Sequence, residues 1–413
     1  MILPAVVALV AGNVPAKGRP RAFGLVMGAG AIAVAVGPLI GGVATTYFSW
    51  RWVFAGEVIV VVLVLFLARR MAEPPRPDRV PLDVVGAILA AVGLGLAVYG
   101  VLRSSEWGWV KPKPDAPTLG GVSLSAWLVV FGGLIILAFF EWESRLVARG
   151  REPLIQPSLF GYHEMNAGLA VFFVQYLVQA GVFFTIPLFL SVALGLSALE
   201  TGVRILPLSI ALLAGAVGIP RFFPHASPRR VVRLGLLVML LGILVLIGAL
   251  DPDAEAAIVT IPLLLIGLGM GALASQLGAV TVSAVPDRLS SEVGGLQNTA
   301  TNLGAALGTA IAGSILIAAL TSSFLESVTD NPDIPSAVKD QANVQLASGI
   351  PFLSDADLEA ALDQAGVSPD VAAEALEAND QARVDGLRSA LTAMGFVALS
   401  GLFVARSIPK TPK

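Results

Sequence analysis

The sequence predicts an all-α membrane protein of helical bundles, with about ten complete transmembrane helices and one half helix. Three observations carry that expectation. Of 413 residues, 56% are hydrophobic and only 13% are Asp, Glu, Lys or Arg; a soluble surface needs about twice that charged share. The apolar residues fall in runs near the ~20 residues a helix needs to cross hydrocarbon, unlike the short alternating segments of an outer-membrane barrel. Basic residues collect in alternate connections, as positive-inside topology requires. A net charge of −3 without a basic block offers no footing for nucleic acid. With no Cys and only His163 and His225, neither a metal nor a cofactor is expected.

In chain order, the apolar spans are 22–46, 52–68, 82–102, 122–140, 167–194, 203–220, 231–250, 256–285, 293–320 and 387–405. Residues 1–12 are apolar too, but at 1.5 Å each they reach only ~18 Å of a ~30 Å core. They read as the second half of a span, so the chain is expected to begin inside a membrane helix; no basic region precedes them, as a signal peptide needs. The ten spans hold only Glu57, Asp83, Arg204, Arg233 and Arg388 as charges. All but Glu57 sit within two residues of a span end, where side chains reach the headgroups. Glu57 reads as an interfacial acid, solvated or paired with Arg51, and is also the proton-coupling candidate. Asp83 is placed to cap its helix, and Glu200 to pair with Arg204 at i,i+4.

Orientation follows from the 26 Lys and Arg residues. Eighteen fall in one set of connections, from Lys17 through Arg69, Arg76, Arg145, Arg229 and Arg288 to Lys413. That set is expected in the cytoplasm, with the C-terminus. Segment 321–386 carries 13 Asp and Glu against Lys339 and Arg383 and is expected outside, as a solvated acidic cap or a gate over an exit path. Within it Ser354 and Asp357 form a capping pair, Leu358, Ala361, Leu362 and Ala365 share a helical face, and Gly366 ends the helix. Ser368-Pro369 starts a second short helix, expected to end near Asn379.

The chain also repeats itself. Val14–Gly42 aligns without a gap on Val285–Gly313, with nine identities in 29 positions. Both copies run from a Val-Pro turn with a basic residue into a Gly-rich outward helix. A parallel repeat of this kind marks a transporter of two similar bundles. Ala33, Gly37 and Gly41 in one copy, and Gly304, Gly308 and Ala312 in the other, recur every four residues, a smooth stripe on which helices approach closely. Pro38 removes a backbone donor there and predicts a bend.

Gly24, Ala33 nine positions on, Gly37-Pro38 and Gly41-Gly42 resemble the antiporter motif in the fifth helix of major facilitator superfamily drug:proton antiporters, with Ala33 where Gly is usual. The surroundings are similar to the fourteen-helix branch: Gly18-Arg19 to Phe23-Gly24, Trp50-Arg51-Trp52-Val53-Phe54, Glu106-Trp107-Gly108-Trp109, and Gly202 to Leu206-Pro207. The resemblance runs essentially from Met1 to the C-terminus. It implies that the ten spans are helices five to fourteen. Residues 1–70 would be the remainder of an N-terminal bundle, 71–152 a linker with two extra helices, and 153–413 a six-helix C-terminal bundle. The acidic, Gly-Asp-Arg and Arg elements of the family's first four helices have no counterpart in the chain, and at Glu57 the family pattern has Asn. A chain begun this late is expected not to transport alone.

Intramembrane polar residues mark helix contacts or a substrate path. Phe172, Gln175, Gln179 and Phe183 share one face, suited to bulky apolar or cationic compounds. Gln276, Asn298 and Asn302 complete the candidate substrate cavity, and Gly295, Gly304, Gly308 and Gly313 mark the repeat's second helix. Both Gly-rich helices are expected near the contact between bundles. Apparent enzyme motifs fail: Gly28-Ala29-Gly30 lies in a membrane helix, Ala167 stands where a zinc hydrolase needs His, and no Gly-x-Ser-x-Gly or phosphate loop occurs. The expected function is proton-coupled drug efflux by a multi-pass protein of the cytoplasmic membrane, its partners a small molecule, protons and the bilayer. The alternatives are export of an endogenous lipid or metabolite, a non-transporting remnant or interaction partner, and, least favoured, an intramembrane enzyme.

Overall fold

The structure is a computed structural model that describes residues 33, 36–69, 83–114, 116–252, 254–286, 289–330, 355–364 and 369–408. The half span 1–12, Gly24 and much of span 22–46 lie outside the described residues. The helices are α1 (36–47), α2 (Arg51–Ala68), α3 (Val84–Trp107), α4 (Leu124–Ala148), α5 (His163–Leu188), α6 (Ala198–Phe222), α7 (Pro228–Ala249), α8 (Thr260–Ser283), α9 (Ser290–Asp330), α10 (Asp355–Gln364) and α11 (Pro369–Val404). Nine of them, α2–α9 and α11, are long and apolar enough to cross a membrane. The protein is thus an all-α membrane protein.

Helix ends obey local chemistry. Ser197 and Glu200 form a capping box at the start of α6, and Pro228 opens α7 at its first turn, where no amide is needed. Asp83 caps α3 through the Gly86 amide at 3.0 Å. Between α3 and α4 the chain makes a tiny antiparallel hairpin, Thr118–Leu119 on Val122–Ser123. Gly120 and Gly121 both take positive φ, 62° and 77°, as the two-residue hairpin turn requires and as only Gly does without strain.

One core unites α5–α9 and α11. On α7, Val232, Leu236, Met239, Ile243 and Leu246 repeat at helical spacing and are almost wholly buried, against Leu263, Ile266, Met270 and Leu273 of α8. In lipid such contacts hold by close packing rather than by escape from water. Small residues make that packing possible. Gly267 and Gly271 of α8 lie against the Leu208 and Leu212 carbonyls of α6, and Gly269 lies against Gly235 and Met239 of α7. α8 is thereby clasped on two sides.

Four expectations are corrected. The helix opening at Pro369 does not stop near Asn379; α11 is continuous for 36 residues, because nothing between Asn379 and Gly386 breaks it and Ala382 packs with Leu320 and Phe324 of α9. α9 likewise outruns its apolar span and reaches Asp330. The acidic segment is not merely solvated. Arg383, 1% exposed, pairs with Asp380 and, at 2.6 Å, with Asp355 at the start of α10. Ser354, Ala365, Gly366 and Ser368 lie outside the described residues. Lastly, Glu200 forms no ion pair with Arg204, since its carboxylate accepts from the Ser197 amide at 2.9 Å and hydroxyl at 2.7 Å.

Candidate functional site: a cleft between two helices

The polar residues predicted to line one cavity are divided by the structure. Asn298 and Asn302 border a cleft of about 720 Å³ whose opposite wall is Leu94, Val98, Tyr99 and Leu102 of α3. They stand one turn apart on α9, and the Asn302 amide donates to the Asn298 backbone carbonyl at 2.8 Å and to its side-chain oxygen. Asn298 Nδ2 and Asn302 Oδ1 keep hydrogen-bonding capacity at the cleft. Gly295 lies on the same wall and widens it. The cleft pairs a largely apolar surface with a few convergent polar groups and one aromatic ring, as small-molecule sites do. Tyr99 was missed from sequence because α3 had been assigned to the linker.

Gln175 lies elsewhere, at the middle of α5, 3% exposed and with its Oε1 unpartnered among the described residues. Two turns before it, Gly168 faces Thr281 of α8, so Gln175 is on the α8 side of its helix. Phe172 and Phe183 pack against the bundle core. Neither they nor Gln179 lines the cleft with the Asn pair. Gln276 donates to Ser275 Oγ at 3.4 Å. Gln297, unforeseen, reaches across to the Gly278 carbonyl at 3.3 Å and to Thr281, joining α9 to α8.

The two Gly-rich helices have different partners. In α1, a Cβ on Gly42 would stand 2.8 Å from the Ala198 carbonyl oxygen, and one on Gly202 of α6 would stand 2.5 Å from the Pro38 oxygen. Thr46 Oγ1 accepts from the Leu199 amide at 3.1 Å. α1 is therefore seated on α6 through Pro38 and Gly42, beside the expected stripe, while Gly37 and Gly41 of that stripe meet nothing within 4 Å among the described residues. On α9, Gly304 lies against the Phe173 carbonyl, Gly308 against that of Leu177 and Gly313 against the Phe184 ring. That stripe closes α9 on α5. Glu57 is exposed on α2, which buries nothing, and Arg51 stacks over Trp50 at 4.6 Å without an ion pair to Glu57.

A second polar centre, absent from the sequence expectations, lies where α3 begins and α4 ends. Trp142 donates its indole N–H to both Asp83 oxygens at 3.1 Å, and Glu143 is wholly buried beside them.

These features define a polytopic membrane protein with an open cleft between α3 and α9. Residues 1–309 match the Major Facilitator Superfamily model, and the chain belongs to that superfamily. It is similar to the cephamycin export protein of Amycolatopsis lactamdurans, 32% identical over 298 residues, 71% of this chain and 58% of that protein. The tetracenomycin C resistance and export protein of Streptomyces glaucescens is 27% identical over 98% of this chain and 71% of its own. A multidrug resistance protein of Mycobacterium tuberculosis is 27% identical over 81% of this chain and 58% of its own. The chain thus spans less than two thirds of two of these three relatives.

Proposed function

We propose that the protein is a secondary active exporter of the fourteen-helix drug:proton antiporter branch, and not an enzyme. It carries hydrophobic or cationic compounds outward across the cytoplasmic membrane in exchange for protons. Its parts are the N-terminal bundle 1–70, the two-helix linker 71–152 and the C-terminal bundle 153–413, with the C-terminus in the cytoplasm. The observation that carries this is the α3–α9 cleft, where Asn298, Asn302 and Tyr99 converge among apolar side chains. Relatives whose names record antibiotic export or resistance support the direction and cargo class. Gln175, Gln179, Gln276, Phe172 and Phe183 extend the path through the bundle, and Glu57 is the coupling acid of the first bundle.

The test compares the host with and without the gene at its own locus. Deletion should raise retention of a fluorescent hydrophobic cation several-fold, and a protonophore should abolish the difference. Asn298→Ala should change the rank order of exported compounds at unchanged protein level. Equal retention in both strains, or Asn298→Ala cells that differ only in protein yield, would overturn the proposal.

A further inference from the structure

The second polar centre contains a buried acid with an unused oxygen. Glu143 is 0% exposed. Its Oε2 accepts from the amides of Leu154 at 2.7 Å and Ile155 at 3.4 Å, and its Oε1 has no donor among the described residues. That oxygen and Asp83 Oδ2 crowd the spot a Cβ on Gly86 would occupy, so the two carboxyls face one another over a bare glycine. Asp83 already has its donors, from the Trp142 indole and the Gly86 amide. Asp83 is half-buried and Glu143 wholly buried; when one of two adjacent carboxylates is shut away from water, the pair does not ionise twice at neutral pH but shares a proton.

We propose that Asp83 and Glu143 hold one proton between them, on Glu143 Oε1 and donated to Asp83 Oδ2, as a proton-binding site in the α3–α4 hairpin. The pair also has an output. Its acceptor Oε2 fixes the connector at Leu154 and Ile155, and the next amide, Gln156, donates to Glu292 on α9 at 2.8 Å. Proton occupancy is therefore tied, through three consecutive residues, to the start of the helix that bears Asn298 and Asn302. Removing the proton sets two negative charges side by side, which only a movement of Glu143 or of the connector relieves.

Of the other charged groups on these elements, Arg145 is engaged with Glu141 at 2.9 Å on the exposed face of α4. Arg149, Arg151 and Glu152 are exposed, and Glu292 takes the Gln156 amide. Arg70, Arg76, Asp78 and Arg79 precede Asp83 outside the described residues.

Infrared spectroscopy of the purified full chain in lipid nanodiscs reads the proton directly and needs no transport, so its result is separate from that of the export assay. At pH 7.5 a protonated-carboxyl band is expected that carbon-13 labelling of the glutamate side-chain carboxyl shifts, Glu143→Gln removes and Asp83→Asn moves without removing. Gly86→Ala, which drives a methyl between the two groups, should displace the same band and covers the case in which Glu143→Gln does not fold. No labelled-glutamate band at pH 7.5 would overturn the proposal, as would a band that Glu143→Gln or Gly86→Ala leaves unmoved. Neutralisation of the pair by an Arg76 or Arg79 guanidinium would show itself as the first of these outcomes.

Discussion

Gln175 is the residue whose energetics and role pull apart most clearly. An amide oxygen buried without a donor costs about 1–3 kcal/mol, and Gln175 Oε1, in the middle of a membrane helix, has none among the described residues. Gln175→Leu keeps the bulk and removes the unmet bond, so the thermal midpoint of the purified protein should rise, by roughly the equivalent of 1 kcal/mol, while the spectrum of exported compounds narrows. A lower midpoint would mean that Gln175 is bonded across helices. Position in a span made this side chain legible from sequence, as did the cap at Asp83. Glu143 was not legible: it follows the end of span 122–140, where hydropathy treats an acid as solvated, and only folding brings it beside an acid at the far end of the α3–α4 hairpin. The Glu200–Arg204 expectation failed for a reason already present in the sequence, since Ser197 three residues before Glu200 is a capping-box pattern that claims the carboxylate first.

At the scale of elements, the α9 glycines are contacts rather than hinges. A Cβ on Gly308 would run into the Leu177 carbonyl, backbone that cannot step aside without moving α5. Gly308→Val should therefore destabilise the C-terminal bundle by more than the ~1–3 kcal/mol of ordinary overpacking, read as a lower melting temperature. Gly295→Ala, with nothing within 4 Å, should leave it unchanged. The four-residue spacing of the α9 stripe identified close approach, but spacing does not say which neighbour is approached: on α9 it is α5, whereas in the first copy Pro38 and Gly42, beside the stripe, meet α6. Spans were legible because hydrocarbon sets their length. The ends of α9 and α11 were not, because a helix continues past the membrane until a breaker or cap stops it, and apolarity is silent on both.

Across the whole molecule, the extramembrane part is fastened through Arg383. This guanidinium, 1% exposed, faces Asp355 of α10 and Asp380 of its own helix. Asp355 and Asp380 are themselves 53% and 35% exposed, so their charges stay hydrated when the guanidinium is removed, and the loss is that of partly screened charge-assisted hydrogen bonds, about 1.5 kcal/mol. Arg383→Met should free α10, and limited proteolysis should cut within Asp355–Gln364 at rates at least ten-fold above wild type while the melting of the core bundle changes little. Equal cleavage rates would mean that α10 is held by other contacts. The same region contains one end of α9, whose 41 residues make a rod of roughly 60 Å, twice the thickness of the hydrocarbon. Near its start Glu292 accepts from the Gln156 amide, and towards its other end Ser323 donates to Asp385 of α11 at 2.9 Å. Such a rod is a lever: pivoted at one end, a tilt of about 10° sweeps the other through roughly 10 Å, so a small change at one face of the bilayer is magnified into a large displacement at the opposite face.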